Sequence, residues 1–297
     1  MSKLKKAEKP KKKGKAYLFG PFVGEVDWEF YRFAPHSIYL KKQDPTIKII
    51  VLTRKERFDL YGKYASILVP LNIKNENEYK SSAFGLIDYK TEYYYTIKKF
   101  FYEKYDKEYE IVDHFYPRIN SWRRKIKWQL PRSQMDYDFL PRNDNIDIVN
   151  TLIGDYPEMT YVETKYSDEL PKGYVNITSD DFVTKVVGKV DNIRSTYLGC
   201  IIVLLRRVKF VIGNLDSPIA HLALLLGIPL ISVNEKRPDD SINLLNPLET
   251  MVIRCSTVEE GVKIYEDNFR SPKSWSWKQR GLGYSNKIRE YFSGDEP

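Results

Sequence analysis

KFVIGNLDSPIAHLALLLGIPLISVNE, residues 209–235, is the stretch from which the rest of the chain is read. An apolar run through Phe210 and Ile212 enters a polar knot, Gly213-Asn214-Leu215-Asp216-Ser217. A second apolar run of helical length follows at 220–226, then Gly227-Ile228-Pro229 and a β-type run at 230–233. This spacing predicts strand, loop, helix and strand, a single βαβ unit. Its polar residues then fall at the carboxyl end of one strand and the amino end of the next helix. Open parallel sheets hold their ligands there, and the unpaired N–H groups and dipole of a helix start suit an anion such as a pyrophosphate. A plainer reading fits the same spacing: a buried βαβ unit with Asp216 or Ser217 as helix N-cap.

Outward from this unit, strand-like and helix-like runs alternate along the chain. Strands are predicted at 16–22, 48–53, 66–71, 84–89, 110–119, 160–163, 174–177, 209–213 and 250–255. Helices are predicted at 27–40, 91–105, 144–154, 195–206 and 258–269, with a last one in the later part of 275–292. Such alternation across both halves predicts an α/β protein built of two Rossmann-like units. The boundaries expected are a disordered Lys-rich tail at 1–15, a first domain at 16–108, a second at 109–274 and a terminal helix at 275–297. No repeat of solenoid length is visible.

Composition narrows the function classes. The chain has 297 residues, 42% of them hydrophobic, enough for a substantial core. No apolar run approaches the length of a membrane span, and no apolar segment follows the early lysines as in a secretory signal. The net charge of +8 is concentrated: residues 1–15 hold eight Lys and one Glu, leaving 40 basic and 39 acidic residues in the body. That tail fits a solvated extension, or a non-specific contact with phosphate backbones or anionic lipid headgroups. Cys200 and Cys255 lie in apolar or strand-like runs and read as buried free thiols, which points to the cytoplasm. With His36, His114 and His221 as the only histidines and no C-x-x-C, a Cys/His metal site is not expected.

The segment 209–235 resembles the donor-binding motif of the ADP-heptose lipopolysaccharide heptosyltransferases, glycosyltransferases of the GT-B fold. Their pattern is an apolar strand, Asn or similar, Asp-Ser/Thr-Gly-x-x-His, a small apolar helix, Pro and an apolar strand. Asp216, Ser217 and His221 fall on it, and Gly227-Ile228-Pro229 continues it. Pro218 stands where the family has Gly, and Leu215 is one residue more between Asn214 and Asp216. Pro is sterically acceptable as the first helical residue, but it removes a donor that a phosphate would otherwise meet.

The resemblance implies two Rossmann-like domains facing each other across a cleft, with the final helix crossing back to the first. It also implies an inverting, metal-independent transfer from a nucleotide-sugar donor to a hydroxyl of a glycan or glycolipid. No cofactor is needed where helix N–H groups and side chains neutralise the diphosphate. Asp136-Tyr137-Asp138 is the single Asp-x-Asp, the motif of metal-dependent relatives, and reads as a chance match. The family's catalytic base is an Asp in the loop after the first strand. Here Gly24-Glu25 occupies that loop, which makes Glu25 the expected base and Asp27 its competitor; a carboxylate complementing a helix dipole is the plainer role. Donor contacts are expected from Asn214, Asp216, Ser217 and His221, with Arg118, Arg123, Arg124 and Lys165 as further phosphate candidates. A core histidine and solvated arginines are the plainer readings.

Two alternatives remain open at this point. Viral DNA glucosyltransferases share the GT-B architecture, and the tail together with the Arg/Trp-rich segment 118–132 suits DNA with a flipped, hydroxylated base as acceptor. Alternatively, Pro218 and Glu25 mark an inactive, GT-B-like binding protein.

Overall fold

A computed structural model of the chain describes residues 14–22, 26, 29–71, 99–100, 102–113, 118–120, 125–127, 136–154, 156, 158–191, 194–215, 217–234 and 251–269. The Lys-rich tail up to residue 13, the strand expected at 84–89 and the helix expected within 275–292 lie outside them, as does most of the helix expected at 91–105, of which 99–100 and 102–105 are described and helical.

The first half is a parallel sheet of β1 (Gly14–Phe22), β2 (Lys48–Thr53), β3 (Ile67–Pro70) and β4 (Tyr109–Asp113) in the order β3-β2-β1-β4. β1 and β2 sit at its centre and are apolar almost throughout; Ala16, Leu18, Phe19, Ile49, Ile50, Val51 and Leu52 are all buried. That continuity is expected of strands covered on both faces. Between β1 and β2 a π-helical turn (Glu29–Phe33) runs straight into α1 (Ala34–Gln43), and the short α2 (Phe58–Tyr61) follows β2.

Two of the differences from the sequence reading bear on the first sheet. β1 begins at Gly14, because Gly14 and Lys15 extend the ladder opposite Tyr109 and Glu110. The strand expected at 110–119 to open the second half is two pieces. β4 joins the first sheet beside β1, whereas β5 (Arg118–Asn120) pairs, among the described residues, with β6 (Lys125–Lys127) in an antiparallel ribbon. The first sheet therefore draws on the chain as far as Asp113. Local pattern identifies a strand; it does not name the edge onto which that strand will pair.

The second half is a parallel sheet of β7 (Met159–Val162), β8 (Val175–Thr178), β9 (Val211–Ile212), β10 (Leu230–Val233) and β11 (Val252–Cys255), in the order β11-β10-β9-β7-β8. Its helices are α3 (Asn143–Leu152), α4 (Ser179–Val187), α5 (Tyr197–Leu205), α6 (Pro218–Leu225) and α7 (Val258–Asn268). Alternation along the strands divides the side chains between two faces. Val162, Ile212, Ile231, Val233 and Ile253 pack with Val258, Val262 and Tyr265 of α7. Met159, Tyr161, Val211 and Leu230 face the other way, into a core that continues through Ile202, Leu204, Leu222 and Leu224 to Leu18, Phe19 and Ile50 of the first half.

Buried polar groups fasten the halves as well. The Asp59 carboxylate, wholly buried at the start of α2, accepts from Arg142 Nε at 2.6 Å and from Thr196 Oγ1 at 2.6 Å. Thr196 is the N-cap of α5, accepting from Gly199 N, and its own N–H donates to Asn145 Oδ1. Nearby, Asp138 meets Lys42, Arg206 and the Tyr64 hydroxyl, while Asp136 takes a second bond from Lys42. The lone Asp-x-Asp is thus already neutralised by protein cations.

Candidate functional site

In the second sheet β7 lies between β8, which follows it in sequence, and β9, which comes after β8. Connections leave β7 and β9 in opposite directions there, and this is the switch point at which an open parallel sheet forms a crevice. The two strand ends meet through Glu163, the residue after β7. Its Oε1 accepts from the backbone N–H of Asn214 at 2.7 Å. Gly213 makes the approach possible: a Cβ there would lie 2.9 Å from the same oxygen. Glu163 Oε2 lies 3.5 Å from Lys165 Nζ, and that ammonium also sits over the Tyr166 ring. The Tyr166 hydroxyl and then Glu163 hold the Lys165 ammonium above its ordinary pKa.

The neighbouring strand ends are polar too. Thr164 and Ser179 join their hydroxyls at 3.1 Å past β7 and β8, and Asn234 Nδ2 donates to the Ser256 carbonyl past β10 and β11.

The helix that starts over this edge is α6. Ser217 stands at its N-cap position with φ −73° and ψ 130°, yet its hydroxyl makes no cap bond. Pro218 follows as the first helical residue, where its missing N–H breaks no helical bond. The inserted Leu215 is buried in the core beneath the loop, which gives the longer knot an apolar anchor. At the other end Gly227, at φ +78°, donates to Leu224 O, and Ile228 donates to Ala223 O. This is the Schellman closure, and it delivers Pro229 into β10.

His221 lies one turn into α6. Its imidazole is 8% exposed and packs against Tyr31 of the π-helical turn, ring centroids 5.8 Å apart. Its contact is therefore with the first half of the chain. Tyr31 adjoins Glu29, whose buried carboxylate receives Arg57 Nη1 at 2.7 Å, the Tyr61 hydroxyl at 2.7 Å and the Thr53 hydroxyl at 2.9 Å.

Of the residues expected at the site, Lys165 is joined through Glu163 to the backbone of Asn214, Ser217 N donates to Asn214 O, and His221 follows one turn later with its ring against Tyr31. Glu25, Asp27, Asp216, Arg123 and Arg124 lie outside the described residues. Arg118 sits in β5 opposite Lys127, and its side chain lies outside them too. Three residues of the site were not singled out in the sequence. Glu163 had a readable signal, a carboxylate directly after an apolar strand; Glu29 and Tyr31 had none, because they act across the fold. Among the described residues no three His, Cys, Asp or Glu side chains could hold a metal ion, and no helix is long and apolar enough to cross a membrane.

No protein-family profile matches the chain, and no curated protein does. Solved structures do bear a likeness. E. coli heptosyltransferase WaaC with ADP-2-deoxy-2-fluoro heptose is 12% identical, with 86% of this chain and 99% of that one covered at a TM-score of 0.45. A glycosyl transferase family 9 protein from Veillonella parvula is 10% identical, with 94% and 97% covered at 0.44. E. coli ADP-heptose lps heptosyltransferase II is 13% identical, with 93% and 99% covered at 0.42. At scores this low the likenesses are loose, and the α/β fold stands on the chain's own two parallel sheets.

Proposed function

We propose that the chain is a nucleotide-sugar-dependent glycosyltransferase that transfers a sugar to a hydroxyl of a glycan or glycolipid in the cytoplasm. The first half takes the acceptor and the second takes the donor. The observation that carries the reading is the start of α6, whose Ser217 hydroxyl is not spent on capping, above the switch point between β7 and β9. First-turn N–H groups and a hydroxyl are suitable partners for a diphosphate. Glu163 and Asn214 beside them are suited to neutral hydroxyls rather than phosphate, as carboxylates at strand ends in nucleotide-binding sheets accept from ribose.

In the reaction Glu25 removes the proton of the acceptor hydroxyl. The acceptor oxygen bonds to the anomeric carbon on the face away from the diphosphate, and the bond to the diphosphate oxygen breaks with its electron pair. Configuration inverts because one displacement occurs. The charge left on the diphosphate is stabilised by the α6 N–H groups and Ser217, so the reaction needs no metal.

Thermal shifts with ADP-, UDP-, GDP- and CMP-sugars test the donor site. A sugar nucleotide at a hundredfold its Kd adds about 2.7 kcal/mol to stability, a rise of several degrees. Glu25→Gln is expected to keep that rise and lose on the order of a hundredfold in turnover, the scale of removing a general base. If none of the sugar nucleotides moves the melting point, the transferase reading fails.

A further inference from the structure

The π-helical turn touches α6 through Tyr31 and His221, and its geometry is unusual. The wide turn holds one residue more than an α-helical one, and an added residue rotates everything before it by about 100° relative to the helix that follows. Through that rotation Glu29 turns inward while Tyr31 meets His221. Such turns are uncommon and persist where the surroundings over-determine them.

The surroundings here are a carboxylate with a full set of donors. Glu29 is 1% exposed, and Thr53, Arg57 and Tyr61, which donate to it, are at most 8% exposed. Thr53 ends β2, while Arg57 and Tyr61 come from the segment after it, so the bonds pin the turn to the carboxyl end of the first sheet. The Phe22 ring, closing β1, lies parallel to Tyr61 at 6.5 Å and against Phe33 at 4.3 Å, which seals the cluster. An apolar residue of similar volume would hold a core as well or better than a buried ion pair. A carboxylate that fixes one rotation of the turn does something an apolar residue does not.

We propose that Glu29, held by Thr53, Arg57 and Tyr61, is a positioning residue that sets the π-helical turn so that Tyr31 orients the His221 imidazole at the start of α6. As a contribution to catalysis this rests on the transferase reading above; as a statement about His221 it does not.

The test uses Tyr61→Phe and Thr53→Val, each of which removes one donor and leaves the Glu29–Arg57 pair intact. Imidazole proton spectra of the full chain give one readout, with the His221 signal assigned through His221→Gln. The expected result is a displaced His221 signal in both variants and donor turnover reduced about tenfold. A lowered melting point with the His221 signal unmoved would show that the cluster only holds the fold, and would overturn the proposal. If the wild-type chain binds no sugar nucleotide, the function falls while the His221 signal still decides the positioning role.

Discussion

Gly199 leaves almost no room at the joint between the halves. A Cβ at this position would lie 2.3 Å from Asn145 Nδ2 and 2.4 Å from Asp59 Oδ2. Both atoms are buried and neither can withdraw without breaking the bonds to Thr196 and Arg142. Gly199→Ala is expected to destabilise the protein by about 2–3 kcal/mol, as overpacking of a filled site does. Gly188 is the matched control: it ends α4 at φ −75° with nothing within 4 Å of the added carbon. Gly188→Ala should leave the urea midpoint nearly unchanged, and equal losses at the two positions would contradict the account of the joint.

The starts of α5 and α6 present the same chemistry put to different uses. Thr196 caps α5 and also donates to Asp59, so Thr196→Ala removes a cap and leaves a buried carboxylate one donor short, a loss of about 2 kcal/mol or more. Ser217 caps nothing, so Ser217→Ala should stay within about 0.5 kcal/mol of wild type while it weakens the response to sugar nucleotides. Calorimetry of both variants, with and without donor, checks the pair. Legibility in the sequence follows from how local each element is. The limits of β2 and β10 are legible, because four apolar residues lie between Lys48 and Thr53, and Leu230 to Val233, broken by Ser232 alone, lie between Pro229 and Asn234. The knot at 213–217 was readable as a helix start because Pro218 and the apolar run after it are local signals. α4 went unread: of its nine residues only Phe182 and Val186 are buried, a faint stripe among Asp and Lys. The π-helical turn was read as ordinary helix, since the donors that hold it come from 24 to 32 residues further along.

Taken as a whole, the molecule carries a pH dependence in its second polar cluster. Burial alone would raise the Asp138 carboxyl, but Lys42, Arg206 and Tyr64 together hold it below its ordinary value. A depressed carboxyl contributes stability that is present above its unfolded pKa of about 3.9 and is lost as pH falls through the lower folded value. The Lys42 ammonium shifts the other way: burial opposes it, but Asp138 and Asp136 raise it, so its contribution fades only as pH climbs beyond its unfolded pKa of about 10.4. Glu29, raised by burial despite Arg57, has the opposite sign to Asp138 and gives up stability as pH rises from its unfolded value. Asp138→Asn should therefore melt below wild type at pH 7, with the gap closing below about pH 4. A gap that persists into strong acid would place the stabilisation elsewhere.

β9 reaches its place between β7 and β10 only after some fifty residues of intervening chain. During translation β7 leaves the ribosome long before its neighbour exists, with Met159 to Val162 presenting open amide groups on one side. Until residue 212 has emerged, a nascent chain holds half a sheet with an unfinished border, which invites pairing with another polypeptide. The crevice between β7 and β9 is for the same reason among the last features to take shape, so a stalled or shortened product would be sticky before that crevice existed.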